Sequence, residues 1–350
     1  MIIGVDPHKA SHTATAVDPT TNTPKSSMRI SASLAGYREL MRWARQFAHR
    51  RWAVENAKGL GCHLAQWLVA NGEDVVDVAT TATSRVRELS RGGRRKNDVI
   101  DASAAATVAA LQGDAKVVDA EDETTIFALL EERRANLAAQ RVRCINQLHA
   151  VMRDLIAGGV RTALSAKAAA EALRKVRPAT QPDRVRKVIA WDLIRDVRSL
   201  DGQLTKIVTQ MTTALEEYDD GLLEVDGIGP VLATRLIGRT GRPSRFRSSD
   251  AFASYTGVAP IEVSSGQRTT HRLSRSGDRT LNSTLHLISV TQVRMPDSAG
   301  RRYFDRKIRE GKTRNEAMRC LKRKIATHIW RRMLAAELRR SARLAALQAA

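Results

Sequence analysis

The sequence predicts an α/β fold joined to helical ones: a mixed sheet with helices on its faces, then a long helical linker of coiled-coil character, then a mostly helical C-terminal domain. Three observations carry this. Strand and helix signals alternate through residues 1 to about 115. A helical spacing of three and four then runs alone to about residue 223, and the remainder is cut by Gly and Pro into shorter helical stretches. The domains expected are therefore 1–118, 119–221 and 222–350.

Met1-Ile-Ile-Gly-Val-Asp6 reads as a buried strand ending on an acid, with His12 to Asp18 as its hairpin partner and Ser26 to Ile30 as a third strand. A helix is expected over Leu34–Phe47, and a strand over Trp52–Glu55. Leu60–Ala70 follows as a helix closed by Asn71-Gly72, and Asp74–Ala79 as another strand. An Ala-rich helix begins at Asp98 and meets no Gly or Pro until Gly113. A hairpin followed by strands separated by helices is compatible with an RNase H-like arrangement.

Four acids in this section form one candidate constellation. Asp98 and Asp101 stand three apart, which on a helix puts both carboxylates on one face roughly 5–6 Å apart at Cβ. Such a pair needs a cation between its members or water to screen them; a solvated first helical turn, where Asp suits the helix dipole, is the competing reading. Asp6 and Glu55 each end an apolar strand. Strand-end acids joined by a helix bearing two more are how a sheet collects ligands for a divalent metal.

Between Glu121 and Leu223 the apolar positions Ile126, Leu129, Leu130, Leu137, Val142, Ile145 and Leu148 recur at helical spacing, with breaks at Gly158-Gly159 and Arg177–Pro182. Two long helices result, either an antiparallel or dimerising coiled coil or helices packed on their own domain. Gly227-Ile-Gly229 between helical runs has the form of a helix-hairpin-helix, whose backbone N–H groups meet phosphate; a plain tight turn fits equally. The segment Ser264-Ser265-Gly266 to Arg279 is polar and carries Arg268, Arg272, Arg275 and Arg279, so it is expected as an exposed loop or ribbon that meets phosphate. Ser265, beside a Gly and among cations, suits a hydroxyl that must reach phosphorus, although Ser-Ser-Gly is also an ordinary turn.

The charge is +21, with pI near 10.8. Residues 268–350 hold 21 Lys and Arg against 6 Asp and Glu, so about +15 lies in the last quarter. That localised, Arg-rich excess points to nucleic acid before membrane. Three scattered cysteines, Cys62, Cys144 and Cys320, form no CxxC pair and read as reduced thiols of a cytoplasmic protein. No apolar run reaches the roughly 18 residues of a membrane span.

These residues resemble the DEDD-type insertion-sequence transposases, the group described as bridge-RNA-guided recombinases. The likeness is carried by Gly-Val-Asp6, Ala-Val-Glu55, Lys96-Asn-Asp98-Val-Ile-Asp101, Val225-Asp-Gly-Ile-Gly-Pro230, Ala253 to Pro260 and Ser264-Ser-Gly266, in that order. Asn97 stands where the family usually has Thr or Ser, and Gln267 where a second Gly is common. The resemblance implies a RuvC-like N-terminal domain with Asp6, Glu55, Asp98 and Asp101 as ligands of Mg²⁺ or Mn²⁺. It also implies a helical assembly region and a C-terminal transposase domain whose serine, Ser265 here, attacks DNA to leave a phosphoserine link. Double-stranded donor and target DNA, a structured guide RNA and a homo-oligomer, dimer or tetramer, are the partners implied. A RuvC-like metal-dependent junction-resolving endonuclease and a non-catalytic nucleic-acid-binding protein are the alternatives.

Overall fold

The computed structural model describes residues 1–89, 97–112, 116–218, 220–265, 268–273 and 277–349, with only the backbone described for 261–265, 268–273, 344, 348 and 349. The chain divides into two compact units, Met1–Glu121 and Asp122–Ala350.

The first unit holds strands β1 (Ile2–Pro7), β2 (Ser11–Val17), β3 (Pro24–Ser31), β4 (Arg51–Glu55), β5 (Val75–Val78) and β6 (Lys116–Val117) in one sheet of order β3-β2-β1-β4-β5-β6. β1, β2 and β3 form an antiparallel meander, and β4 and β5 run parallel to β1. This mixed sheet fits the RNase H-like arrangement. β1 is buried along its whole length because it has strands on both sides and helices on both faces.

Strand alternation sorts the core into two layers. Ile3, Val5, Trp52, Val54 and Val75 face helices α1 (Leu34–Ala44) and α2 (Cys62–Ala70), meeting Tyr37, Leu40, Leu64 and Leu68. Ile2, Ala53, Val76 and Val78 face the other way, toward α3 (Thr80–Leu89) and α4 (Asp98–Leu111), where Ala105, Ala106 and Val108 cover them. Helix α1 ends at Ala44, short of the expected Phe47, and α3 and β6 are elements that the sequence reading did not assign.

The second unit begins with α5 (Glu123–Leu155), α6 (Ala166–Lys175) and α7 (Gln181–Tyr218). α5 and α7 run antiparallel: Leu137 clusters with Ile207 and Met211, and farther along α5 Leu148 and Met152 cluster with Ala190 and Ile194. The expectation set 119–221 apart from 222–350, but the two share one core. Phe127, Leu215 and Tyr218 pack with Leu236, Phe252, Leu285 and Ile329. Helices α8 (Pro230–Thr240), α9 (Ser249–Tyr255), α10 (Arg279–Arg294), α11 (Ala299–Arg309) and α12 (Arg314–Ala349) complete the unit, with an antiparallel ribbon of β7 (Pro260–Ser265) and β8 (Arg268–Leu273) between α9 and α10.

Candidate active site

The site grows from β1 and β4. The parallel register pairs Val5 with Val54, so the next residues, Asp6 and Glu55, come side by side on the sheet face that α4 covers. Gly4, two residues before Asp6, shares that face. A Cβ on Gly4 would lie 1.9 Å from the Ala102 carbonyl oxygen and 2.7 Å from the Ala106 nitrogen. The bare glycine therefore lets α4 lie directly on β1. This contact fixes the helix start, with Asp98 and Asp101 in its first turn, close to Asp6. Asn97 caps the helix, its side chain accepting a hydrogen bond from the Val99 nitrogen at 2.9 Å.

Ligand atoms of Asp6, His8 and Asp98 lie within 4.8 Å of one another. Glu55 accepts from the Thr83 hydroxyl at 3.0 Å, and Asp101 pairs with Arg87 at 2.5 Å; Thr83 and Arg87 stand one turn apart on α3. Arg29 of β3 reaches Asp98 at 3.6 Å. The structure thus brings two of the four expected acids, Asp6 and Asp98, into one group with His8, and leaves Glu55 and Asp101 beside it, engaged by Thr83 and Arg87; the sequence reading did not single out His8, Thr83 or Arg87. The alternation of β1 marked His8, two residues beyond Asp6. Nothing local marked Thr83 and Arg87.

Burial raises the Asp6 carboxyl to about 6; His8 opposes this, and the charges of Glu55, Asp101 and Asp98 add to it. Asp6 Oδ2 is buried without a hydrogen-bond partner. His8 Nδ1 lies 3.6 Å from that oxygen. A buried carboxylate oxygen with no hydrogen bond, grouped with a second carboxylate and an imidazole and near two more acids, is what a divalent cation would complete. The residues present fit such an ion.

The second unit carries the other expected site residues. Ser265 ends β7, with Ser264 before it, and pairs in the ladder with Arg268; Arg272 lies on β8. Only the backbone of these four is described, and Arg275 lies outside the described residues. Arg279 is the exposed first residue of α10. Gly227, at φ +79°, sits in a turn against α10, where an added Cβ would meet Thr291 at 3.1 Å. Gly229 stands at the start of α8, with open space where a side chain would be. A single 3-10 turn, Leu222–Glu224, precedes this turn, so a full helix enters it from one side only.

A family model described as "Transposase", of the DEDD IS110 type, matches residues 3–156, and one described as "Transposase IS116/IS110/IS902 family" matches residues 219–305. The insertion element IS116 uncharacterized 44.8 kDa protein of Streptomyces clavuligerus is 27% identical, over 94% of this chain and 93% of that protein. The insertion element IS900 uncharacterized 42 kDa protein of Mycobacterium paratuberculosis is 24% identical, over 93% and 94%. Among solved structures, T. thermophilus RuvC in complex with Holliday junction substrate aligns with 33% of this chain and 98% of its own at 16% identity and a TM-score of 0.28, too distant to carry an argument.

Proposed function

The chain belongs to the DEDD-type insertion-sequence transposases of the IS116/IS110/IS902 family, and on that premise we propose that it excises and inserts its own element through a covalent phosphoserine intermediate. Ser265 is the nucleophile, and Asp6, Glu55, Asp98 and Asp101 hold Mg²⁺ or Mn²⁺. The observation that carries the reading is the buried Asp6 Oδ2, which has no hydrogen-bond partner and has His8 Nδ1 3.6 Å away, near the charges of three further acids. An ion bound there supplies Lewis-acid stabilisation of charge on the phosphate oxygens.

The chain's own residues do the rest. Asp6 and Glu55, fixed on adjacent strands, and Asp98 and Asp101, fixed by the seating of α4, present their oxygens from rigid elements. The Ser265 hydroxyl attacks phosphorus as it gives up its proton. The phosphorus–oxygen bond to one strand end breaks, the departing oxygen takes up a proton, and a phosphoserine ester remains. Attack on that ester by the free hydroxyl of another strand end joins the new partners and restores the serine. Arg268, Arg272, Arg275 and Arg279 neutralise phosphates beside the serine, and the backbone at Gly227 and Gly229 approaches another.

Two duplexes, donor and target, are engaged together, with an element-encoded bridge RNA selecting them by base pairing. The net charge of +21 supports polyanion partners. Exposed Leu129 and Val142 on α5 and Val188 on α7 suit a dimer or tetramer.

A denaturing gel of the protein with Mg²⁺, labelled donor DNA and RNA transcribed from the element's flanks tests the proposal. A covalent protein–DNA band is expected for wild type and Ser264→Ala and is expected to vanish in Ser265→Ala. Cleavage without any adduct, unaffected by either substitution, would instead mark a metal-dependent nuclease.

A further inference from the structure

The β7–β8 ribbon leaves the second unit at Gly257 and returns at Gly277, and there its two feet touch. A Cβ on Gly277 would lie 2.3 Å from the Gly257 nitrogen and 2.4 Å from its Cα, and Gly257 itself has φ +67°. The Asp278 nitrogen donates to the Tyr255 carbonyl at 2.7 Å, and those of Val258 and Ala259 donate to Ala253 at 2.9 and 3.1 Å. Over this crossing lies the side chain of Asn282 from α10. Its Nδ2 donates to the carbonyls of Thr256 and Gly257, at 3.2 and 2.8 Å.

Asn282 is held in turn by Lys322 of α12, whose Nζ donates to Asn282 Oδ1 at 2.7 Å. Lys322 is 9% exposed, and no carboxylate among the described residues forms a salt bridge with it. Burial alone pushes its ammonium below the ordinary lysine range. A buried cation whose hydrogen bond goes to a neutral amide costs stability, and a neutral donor or an apolar side chain would cost less. Folding alone does not account for it.

We propose that Asn282 and Lys322 are positioning residues that lock the root of the ribbon and thereby aim Ser265. This rests on Ser265 being the nucleophile. The lever explains why a rigid root matters: Pro260 to Ser265 spans about 17 Å of strand, so a tilt of about 5° at the root moves the tip by about 1.5 Å, and a misplacement of about 1 Å can cost about 10²-fold in rate. Asn282 fixes the carbonyls of the outgoing foot, and Lys322 fixes the Asn282 amide so that it faces those carbonyls with its nitrogen. Asp278, which caps α10 through the Leu281 nitrogen at 2.8 Å and meets Arg239 at 3.1 Å, secures the returning foot.

The test compares full-length Lys322→Met, Lys322→Gln and Asn282→Ala with wild type and Ser265→Ala. Single-turnover adduct formation should fall by about 10- to 100-fold in Lys322→Met and Asn282→Ala, with DNA affinity unchanged. Amide exchange at Val258, Ala259 and Asp278 should quicken. The unfolding midpoint of Lys322→Met should hold or rise, and Lys322→Gln, which keeps a donor, should retain most of the wild-type rate. Unchanged adduct rates, or unchanged exchange at the root, in both Lys322→Met and Asn282→Ala would overturn the proposal. If wild type formed no adduct while root exchange still quickened in the variants, the serine reading would fall and the positioning role with it.

Discussion

The charge of Asp6 opposes the fold, and His8, 3.6 Å from its Oδ2, offsets only part of that cost. The Asp6 carboxyl is pushed up to about 6 by burial and by three neighbouring acids, and one of its oxygens has no hydrogen-bond partner. Replacing it with a neutral isostere should therefore act in opposite directions with and without metal. In EDTA, Asp6→Asn should melt higher than wild type. In Mg²⁺ the wild type should gain stability in proportion to RT ln(1 + [Mg²⁺]/Kd), and Asp6→Asn should gain far less. Isothermal calorimetry on Asp98→Ala/Asp101→Ala checks the same site from the helix side: Mg²⁺ affinity should drop at least tenfold, about 1.4 kcal/mol or more. An affinity equal to wild type would remove these two acids from the site.

At the scale of elements, the site depends on how closely α4 seats on β1, and Gly4 sets that distance. In Gly4→Ala the methyl group would sit 1.9 Å from a backbone oxygen of α4, so the helix must move as a body. Overpacking of this kind costs about 1–3 kcal/mol. Because Asp98 and Asp101 travel with the helix, Mg²⁺ affinity should fall along with the melting temperature; a variant that lost stability but bound Mg²⁺ as well as wild type would show that the seating of α4 does not place the acids. The acids themselves were legible in the sequence, since a strand ending on a carboxylate and a three-residue spacing on an Ala-rich helix are local patterns. Their surroundings were not. Thr80–Leu89 opens on Thr-Thr-Ala-Thr-Ser, with low helix propensity, and α3 forms because Ala82 and Val86 pack with the α4 layer; Thr83 and Arg87 thus face the site from a helix that only tertiary contact stabilises. Gly158-Gly159 interrupts the helical run as expected; the expected break at Arg177–Pro182 is shorter in the structure, because α7 already begins at Gln181, and Ala166–Lys175 between the two breaks forms a separate helix, with Ala169, Ala170 and Leu173 buried. The root of the ribbon was illegible for another reason: Gly257, Gly277, Asn282 and Lys322 meet only through folding of residues up to 65 apart.

At the scale of the whole molecule, the division at Glu121 leaves the sheet with two apolar layers of its own, while the long helices share their core with the C-terminal segment. Residues 1–121 expressed alone should accordingly fold with a single cooperative transition and retain the Mg²⁺ affinity of the full chain; a fragment that stayed unfolded would show the sheet to depend on the second unit. A cut near Leu223 is a different matter, because it would strip Phe127, Leu215 and Tyr218 of their cover. The role of the basic C-terminal quarter is therefore better tested by substitution in the intact chain. Not all of its cations are free to meet phosphate: Arg323 pairs with Asp250, Arg332 with Glu224 at 2.8 Å, and Arg340 lies 3.6 Å from the centre of the Tyr218 ring. Arg309, Lys312, Arg319 and Arg331 are exposed. If this surface dominates non-specific DNA binding, log K should fall with log salt by about 0.9 for each phosphate neutralised on duplex. Changing those four residues to Gln should flatten the slope, by as much as about 0.9 for each of them that meets a phosphate. The same change at exposed Arg38, Arg42, Arg45 and Lys58 of the first unit should flatten it much less. Equal flattening by the two sets would mean that the DNA track follows both units, and that the charge asymmetry of the sequence does not set where DNA lies.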